Sequence, residues 1–180
     1  MLHRLAVLTD IDLAFKHPDP TLFPGLPRNV EVHGGFAVEH KKTAPIILAE
    51  VKRLMFEHSS TSVVLVHLYR PIIPHPEGVL IPFCAKIGHS LGGALAELDT
   101  LFMKLNLPSG TTVRGVTFGT PRVGNVAWAT FFDSQVSTFT RMNNKLDPVP
   151  IIPGRGLGFR HPKVEIHIES DGSAVICPGE

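Results

Sequence analysis

The feature that most constrains this chain is a serine flanked by glycines, Gly88-His89-Ser90-Leu91-Gly92, followed at once by an amphipathic helical pattern. Glycines two positions before and after a serine are typical of a sharp strand-to-helix turn, because larger side chains would collide there. Such a turn lifts the hydroxyl clear of the sheet and places it at a helix N-terminus, which favours negative charge. The run predicts a nucleophilic Ser90; the alternative is an inert serine in a glycine-rich turn.

Helix and strand patterns alternate along the 180 residues. Apolar residues at helical spacing predict helices over 36–58, 91–105 and 127–132. Short apolar or alternating runs predict strands over 30–33, 62–66, 112–118, 139–142 and 164–168. The run 62–66 is typical of a buried central strand of a parallel sheet, and 164–168 of an exposed edge strand; Gly34-Gly35 is expected to be a turn. The alternation implies an α/β layered fold.

Charge and hydrophobic patterning exclude several function classes. A formal net charge of +1 argues against a nucleic-acid partner. No apolar run is long enough to span a bilayer, and the apolar run at the N-terminus is too short for a signal peptide. The ten histidines include no pair at a metal-ligand spacing with a supporting carboxylate, so no metal site is expected.

Downstream acids and histidines supply candidate partners for Ser90 in the chain order serine, acid, histidine. Asp147 falls in a loop just past a predicted strand, where α/β sheets carry functional residues, although it could also form an Asx-type turn. His161 lies in a loop and is preferred over His167, which lies within a predicted strand. His161 would accept the Ser90 proton, Asp147 would hold the imidazole, and the Leu91 N–H would bind the oxyanion of a tetrahedral intermediate on the way to an acyl-enzyme.

Five motifs together point to a family: residues 32–36 (VHGGF), 88–94 (GHSLGGA), 118–125 (FGTPRVGN), 144–150 (NKLDPVP) and 158–161 (GFRH). With them the chain resembles the fungal class 3 lipases, which implies an α/β-hydrolase fold with a mostly parallel central sheet and flanking helices. The resemblance places the catalytic triad on Ser90, Asp147 and His161. It further implies a lipid ester substrate at a lipid–water interface, no cofactor, and a secreted enzyme.

Two departures from the family pattern concern the domain. The N-terminal part of the family's domain, with its early strands, lid and first oxyanion donor, would precede the start of this chain. Residues 1–180 are therefore expected to form a single partial domain, incomplete at its N-terminus. The strand at 63–66 should also run almost directly into the serine turn, but the proline-rich segment 67–87 intervenes. We expect this segment to be a translated intron or gene-model error; a real insertion, with Val79-Leu80-Ile81 replacing the strand, is the alternative.

A third departure concerns Cys177, whose counterpart in relatives pairs with a nearby cysteine. Here the other cysteine is Cys84, inside the intervening segment, so Cys177 is expected to be unpaired. The function that this resemblance favours is lipid ester hydrolysis. The alternatives are a feruloyl-esterase-like hydrolase on the same scaffold and an inactive lipase fragment that keeps the triad residues.

Overall fold

The structure is a computed structural model that describes residues 14–59, 65–67 and 85–179. Its α-helices are α1 (Gly34–Glu57), α2 (Leu91–Asn106) and α3 (Val126–Gln135). Its strands are β1 (Phe15–Lys16), β2 (Val32–His33), β3 (Leu65–His67), β4 (Ala85–His89), β5 (Arg114–Phe118), β6 (Gly124–Asn125), β7 (Phe139–Asn144), β8 (Phe159–Arg160), β9 (Glu165–Ile168) and β10 (Ala174–Cys177). Two short 3-10 turns cover Val149–Ile151 and Arg155–Leu157.

The main sheet has the strand order β10-β9-β7-β5-β4-β3. Its strands run parallel from β3 to β9, and among the described strands of this sheet only the β9–β10 pair is antiparallel. A smaller antiparallel sheet has the order β1-β2-β6-β8. The mostly parallel sheet and its helices confirm the predicted α/β-hydrolase fold. Parallel strands also align their carboxyl ends at one sheet edge, where functional residues of such folds collect.

The strand that enters the serine turn differs from the prediction. β4 (Ala85–His89) leads directly into Ser90 and pairs in parallel with β5 on one side and β3 on the other. The 63–66 strand of the family pattern therefore does not feed the turn, and Ala85–Ile87, the end of the segment expected to intervene, belong to β4. Within the described residues β3 pairs with β4 alone, so its predicted central position is also not observed. Residues 68–84, including Val79-Leu80-Ile81, lie outside the described residues, and the intron hypothesis stays a prediction.

Two further features differ from the predictions: the place of β9 in the sheet and the start of α1. β9 lies between β7 and β10, so the predicted edge strand is an inner strand of the described sheet, and β10 is the outer one. β10 was not predicted, because its four residues form only a short apolar run. Gly34 and Gly35 are not a turn; they open α1, because the His33 Nδ1 accepts a hydrogen bond from the Gly35 N–H at 3.1 Å.

α2 lies at the centre of the molecule, and most of its residues are buried. Its apolar side packs on α1 and α3 through a shared core that includes Phe36, Val51, Phe102 and Phe132. Two polar contacts tie it to its neighbours: Asp99 Oδ1 lies 3.0 Å from His40 Nε2 on α1, and Glu97 accepts a hydrogen bond from Trp128 on α3. Among the described residues, no helix has the length and hydrophobicity needed to cross a membrane.

Candidate active site

Ser90 occupies the turn between β4 and α2 with φ 55° and ψ −125°, a conformation that costs a non-glycine residue energy. The turn is held by its backbone: the Ser90 N–H donates to the Phe118 carbonyl at 3.0 Å, and the Ser90 carbonyl accepts from the Gly93 N–H at 2.9 Å. A Cβ at Gly88 would lie 2.2 Å from the Gly92 carbonyl oxygen. The structure thus has the strained strand-to-helix turn that the glycine spacing predicts, with Ser90 partly exposed at its tip.

Leu91, the predicted oxyanion donor, is the first residue of α2. The N–H groups of a helix's first turn have no partner within the helix, and the helix dipole adds partial positive charge there. The Leu91 N–H therefore has the position that an oxyanion donor next to Ser90 needs. Its catalytic role stays a prediction.

Asp147 lies in the loop that follows β7 and uses its two carboxylate oxygens differently. Oδ1 accepts a hydrogen bond from the Val149 N–H at 3.0 Å, which is the Asx-type turn foreseen as the alternative role. Oδ2 faces Gly119, where an added Cβ would lie 2.5 Å from it. Gly119 directly follows Phe118, whose carbonyl binds Ser90, so the structure brings Asp147 to the same sheet edge as the serine.

His161 follows β8 and is buried. Its Nε2 lies 2.9 Å from the Pro150 carbonyl oxygen, in the 3-10 turn just after Asp147. A carbonyl oxygen only accepts, so Nε2 carries the proton in this contact. His167, the alternative histidine, lies on β9 with its Nδ1 3.3 Å from Glu165 Oε1. The structure therefore associates His161, and not His167, with the loop that carries Asp147.

The loop after β5 contacts Asp147, the start of α2 and the segment after Asp147, and no role was predicted for it beyond the family motif 118–125. Gly119 contacts Asp147, and Thr120 packs against the start of α2, since a Cβ at Gly93 would lie 2.4 Å from Thr120 Oγ1. Arg122 donates hydrogen bonds to backbone carbonyls beyond Asp147. The motif was visible in the sequence, but its contacts are between loops and could not be derived from spacing.

The helix that follows Ser90 carries a buried carboxyl group, Glu97, which lies too near the serine in sequence to turn back toward it and was not predicted to be catalytic. Its Oε1 accepts a hydrogen bond from Trp128 Nε1 at 2.8 Å, and its Oε2 has no hydrogen-bond partner among the described residues. Burial raises the pKa of Glu97 to about 8, although the Trp128 bond and the charge of Arg141 act to lower it. The helix that carries Ser90 thus holds a carboxylic acid that is largely neutral near pH 7.

Among the described residues, no group of histidine, cysteine, aspartate and glutamate side chains is arranged to hold a metal ion. Cys177 forms no disulfide within the part of the chain that the structure covers. Cys84, its predicted alternative partner, lies outside that part, so the unpaired state of Cys177 stays a prediction.

Residues 84–157, which include Ser90 and Asp147, match the protein family described as Lipase (class 3). The secreted alkaline triacylglycerol lipase of Penicillium cyclopium is 30% identical over 175 residues, which cover 96% of this chain and 53% of that enzyme. The chain belongs to the class 3 lipase family. The family resemblance expected from the sequence is thereby confirmed, and with it membership of a family of carboxylic ester hydrolases.

Solved structures of lipases share the fold. A triacylglycerol lipase from Penicillium expansum aligns with a TM-score of 0.76 at 27% identity, covering 95% of this chain and 59% of that one. Another triacylglycerol lipase, described as having a serine protease triad at its catalytic centre, aligns with a TM-score of 0.71 at 25% identity, covering 96% of this chain and 56% of that one. The present chain spans about half the length of the curated relatives it matches.

Proposed function

We propose that this class 3 lipase hydrolyses carboxylic esters of lipids, with Ser90 as nucleophile, His161 as general base and Asp147 as the group that orients the histidine. The observation that carries the proposal is the strained turn that presents Ser90 at the N-terminus of a buried helix, with Asp147 beside the adjacent strand end. The relative described as having a serine protease triad supports the assignment of the two partners.

The chemistry follows from these positions. His161 accepts the Ser90 proton as the hydroxyl oxygen attacks the ester carbonyl, and the Leu91 N–H donates to the resulting oxyanion. Collapse of the tetrahedral intermediate expels the alcohol, which takes the proton from His161, and leaves an acyl-serine. His161 then deprotonates a water molecule that attacks the acyl-enzyme, and as the carboxylic acid departs His161 gives the proton back to the Ser90 oxygen. Asp147 holds the imidazole and stabilises the imidazolium in both halves of the cycle.

The contact between His161 and Pro150 bears on the first step. A base must present a lone pair to the serine hydroxyl, whereas Nε2 now faces a carbonyl oxygen 2.9 Å away. Rotating the imidazole by half a turn about Cβ–Cγ exchanges Nε2 with Cε1, which leaves a C–H opposite the Pro150 oxygen. In the proposed cycle His161 acts from this rotated position.

Exposed apolar side chains favour a lipid substrate over a feruloyl ester. Leu146 is 93% exposed next to Asp147, and Ile151 and Leu157 are 63% and 58% exposed in the segment that leads to His161. Large apolar side chains grouped in one exposed segment are typical of a surface that contacts another apolar phase. We call these three residues the apolar rim.

Curated relatives are secreted lipases, and we propose that this lipase also acts outside the cell.

Ester hydrolysis by purified wild-type chain and its Ser90→Ala variant tests the proposal. Wild-type protein should release p-nitrophenol from butyrate and palmitate esters, and the variant should lose activity by at least about 10³-fold at unchanged circular dichroism. A preference for the long chain would support a lipase, and confinement to short or feruloyl esters would support the esterase alternative. Equal rates for two folded proteins would leave the inactive-fragment alternative.

A further inference from the structure

Arg122 is a buried arginine in the loop after β5 whose hydrogen bonds converge on one short stretch of backbone. Its Nη1 donates to the Ile151 carbonyl at 2.5 Å and to the Pro153 carbonyl at 3.0 Å. Its own backbone N–H donates to the Ile152 carbonyl at 2.9 Å. One residue therefore binds three consecutive carbonyl groups of another loop.

The segment that Arg122 binds has few backbone hydrogen-bond donors of its own. Pro148, Pro150 and Pro153 lack backbone N–H groups, so the loop has few donors for its own carbonyls. Its own backbone hydrogen bonds are those of one 3-10 turn, in which the Ile151 N–H donates to the Pro148 carbonyl at 3.3 Å and the Ile152 N–H to the Val149 carbonyl at 3.1 Å. Buried carbonyls need donors, and the guanidinium of Arg122 supplies them from outside the loop.

The same segment contacts both proposed partners of Ser90. Its Val149 N–H binds Asp147 Oδ1 at 3.0 Å, and its Pro150 carbonyl contacts His161 Nε2 at 2.9 Å. We propose that Arg122 is a positioning residue for ester hydrolysis, which fixes the 149–153 loop and through it the carboxylate of Asp147 and the Pro150 carbonyl that the ring of His161 faces in either orientation. This inference rests on the proposed function.

The side-chain chemistry at position 122 has to be that of arginine. Burying a cation is costly unless each of its donors finds an acceptor, and Arg122 is only 4% exposed. A guanidinium presents several N–H groups in a fixed plane, which suits carbonyls held two residues apart. A lysine ammonium keeps the charge, but its N–H groups rotate on a flexible chain and are not held in a plane, so it should hold the loop less well.

The test compares wild-type enzyme with the variants Arg122→Ala and Arg122→Lys on a soluble p-nitrophenyl ester. Loss of the loop contacts should lower kcat by about 10- to 100-fold in the alanine variant, since small misplacements of catalytic groups cost that much. KM should change by less than about threefold, because the proposed role of Arg122 is in positioning and not in substrate binding. The kcat of the lysine variant should lie between those of the wild type and the alanine variant. If the alanine variant does not fold, the kcat of the lysine variant tests the proposal.

Two further readouts separate positioning from general stability. Dilute guanidinium, below denaturing concentration, should restore part of kcat in Arg122→Ala but none in Asp147→Ala. Hydrogen exchange should accelerate at the Ile151 and Ile152 amides in the Arg122 variants and remain unchanged in α2. Arg53→Ala is the matched control, because Arg53 is half-exposed on α1 and pairs there with Glu50 and Glu57. Its kcat and exchange should equal those of the wild type.

The outcomes that overturn the inference are distinct from failure of the proposed function. Wild-type kcat in a folded Arg122 variant would overturn it, and so would a loss of kcat without rescue and without faster exchange at the loop amides. No ester hydrolysis by the wild-type chain would instead refute the proposed function. The exchange comparison would still show whether Arg122 holds the 149–153 loop.

Discussion

At the residue scale, the carboxylate of Asp147 depends on the absence of a side chain at Gly119. Gly119 has a φ of +53°, in the left-handed region that favours glycine, and a Cβ there would lie 2.5 Å from Asp147 Oδ2. Either feature alone would disfavour substitution. Together they mean that the position of the proposed triad acid is set by a neighbouring strand end as well as by its own loop.

Replacing Gly119 with alanine should therefore displace Asp147. We expect Gly119→Ala to lower kcat on a soluble ester by about 10- to 100-fold, because the added methyl group moves the carboxylate that orients His161. Gly172→Ala is the matched control, since Gly172 also has a positive φ (+87°) but nothing lies within 4 Å of an added Cβ. An equal loss of kcat in both variants would show that backbone strain, and not contact with Asp147, limits activity.

At the element scale, α2 combines a strained N-terminus with buried acidic groups along its length. Glu97 and Asp99 lie two turns or more beyond Ser90, and both are fully buried. Asp99 Oδ1 pairs with His40 Nε2 on α1 at 3.0 Å. Within the described residues, Glu97 accepts one hydrogen bond, from Trp128 Nε1. The helix that presents the serine is thus sensitive to the ionisation of Glu97.

The stability of the protein should consequently fall as pH rises. The pKa of Glu97 is about 8 in the folded protein and near its ordinary value of 4.5 in the unfolded chain. Between these values the unfolded chain binds fewer protons, so a rise in pH favours unfolding by up to about 1.4 kcal/mol per unit. Urea denaturation of wild type and Glu97→Gln from about pH 5 to pH 8 measures this, and the variant, which keeps an acceptor for Trp128, should have the flatter profile. Parallel profiles would refute this role for Glu97.

Element boundaries show which features can be predicted from local sequence patterns and which cannot. The helix predicted over 91–105 is observed as Leu91–Asn106, because its apolar spacing and its glycine-flanked start are local features. β4 was missed because a proline-rich neighbourhood obscured a five-residue strand. The opening of α1 at Gly34 was missed because the cap is the His33 side chain, a role that residue type alone does not specify.

At the scale of the whole molecule, the sequence predicted the fold class and the sheet edge of the candidate site. Steric rules fix the turn at Ser90, and chain order places the loops of Asp147 and His161 after later strands. The contacts of Gly119 and Arg122 with other loops could not be predicted, since they depend on how distant segments pack. The orientation of His161 toward Pro150 is likewise a tertiary feature that no motif encodes.

The apolar rim predicts how the molecule meets its substrate. Replacing Leu146, Ile151 and Leu157 together with serine should lower hydrolysis of emulsified triacylglycerol several-fold and change hydrolysis of soluble p-nitrophenyl butyrate by less than about twofold, because only the emulsion requires contact with an apolar surface. A matched control replaces Ile46 and Phe56 with serine, which are 72% and 87% exposed on α1. Equal losses on the emulsion in both variants would argue against a specific role for the rim.

The central claim is that Ser90 is an activated nucleophile, and covalent labelling tests it most directly. A p-nitrophenyl alkylphosphonate should phosphonylate the folded wild-type chain at one site with release of one p-nitrophenol, and peptide mass mapping should place the adduct on Ser90. Labelling should be abolished in Ser90→Ala and strongly slowed in His161→Ala. A folded wild-type chain that resists the reagent, or carries the adduct on another residue, would contradict the account.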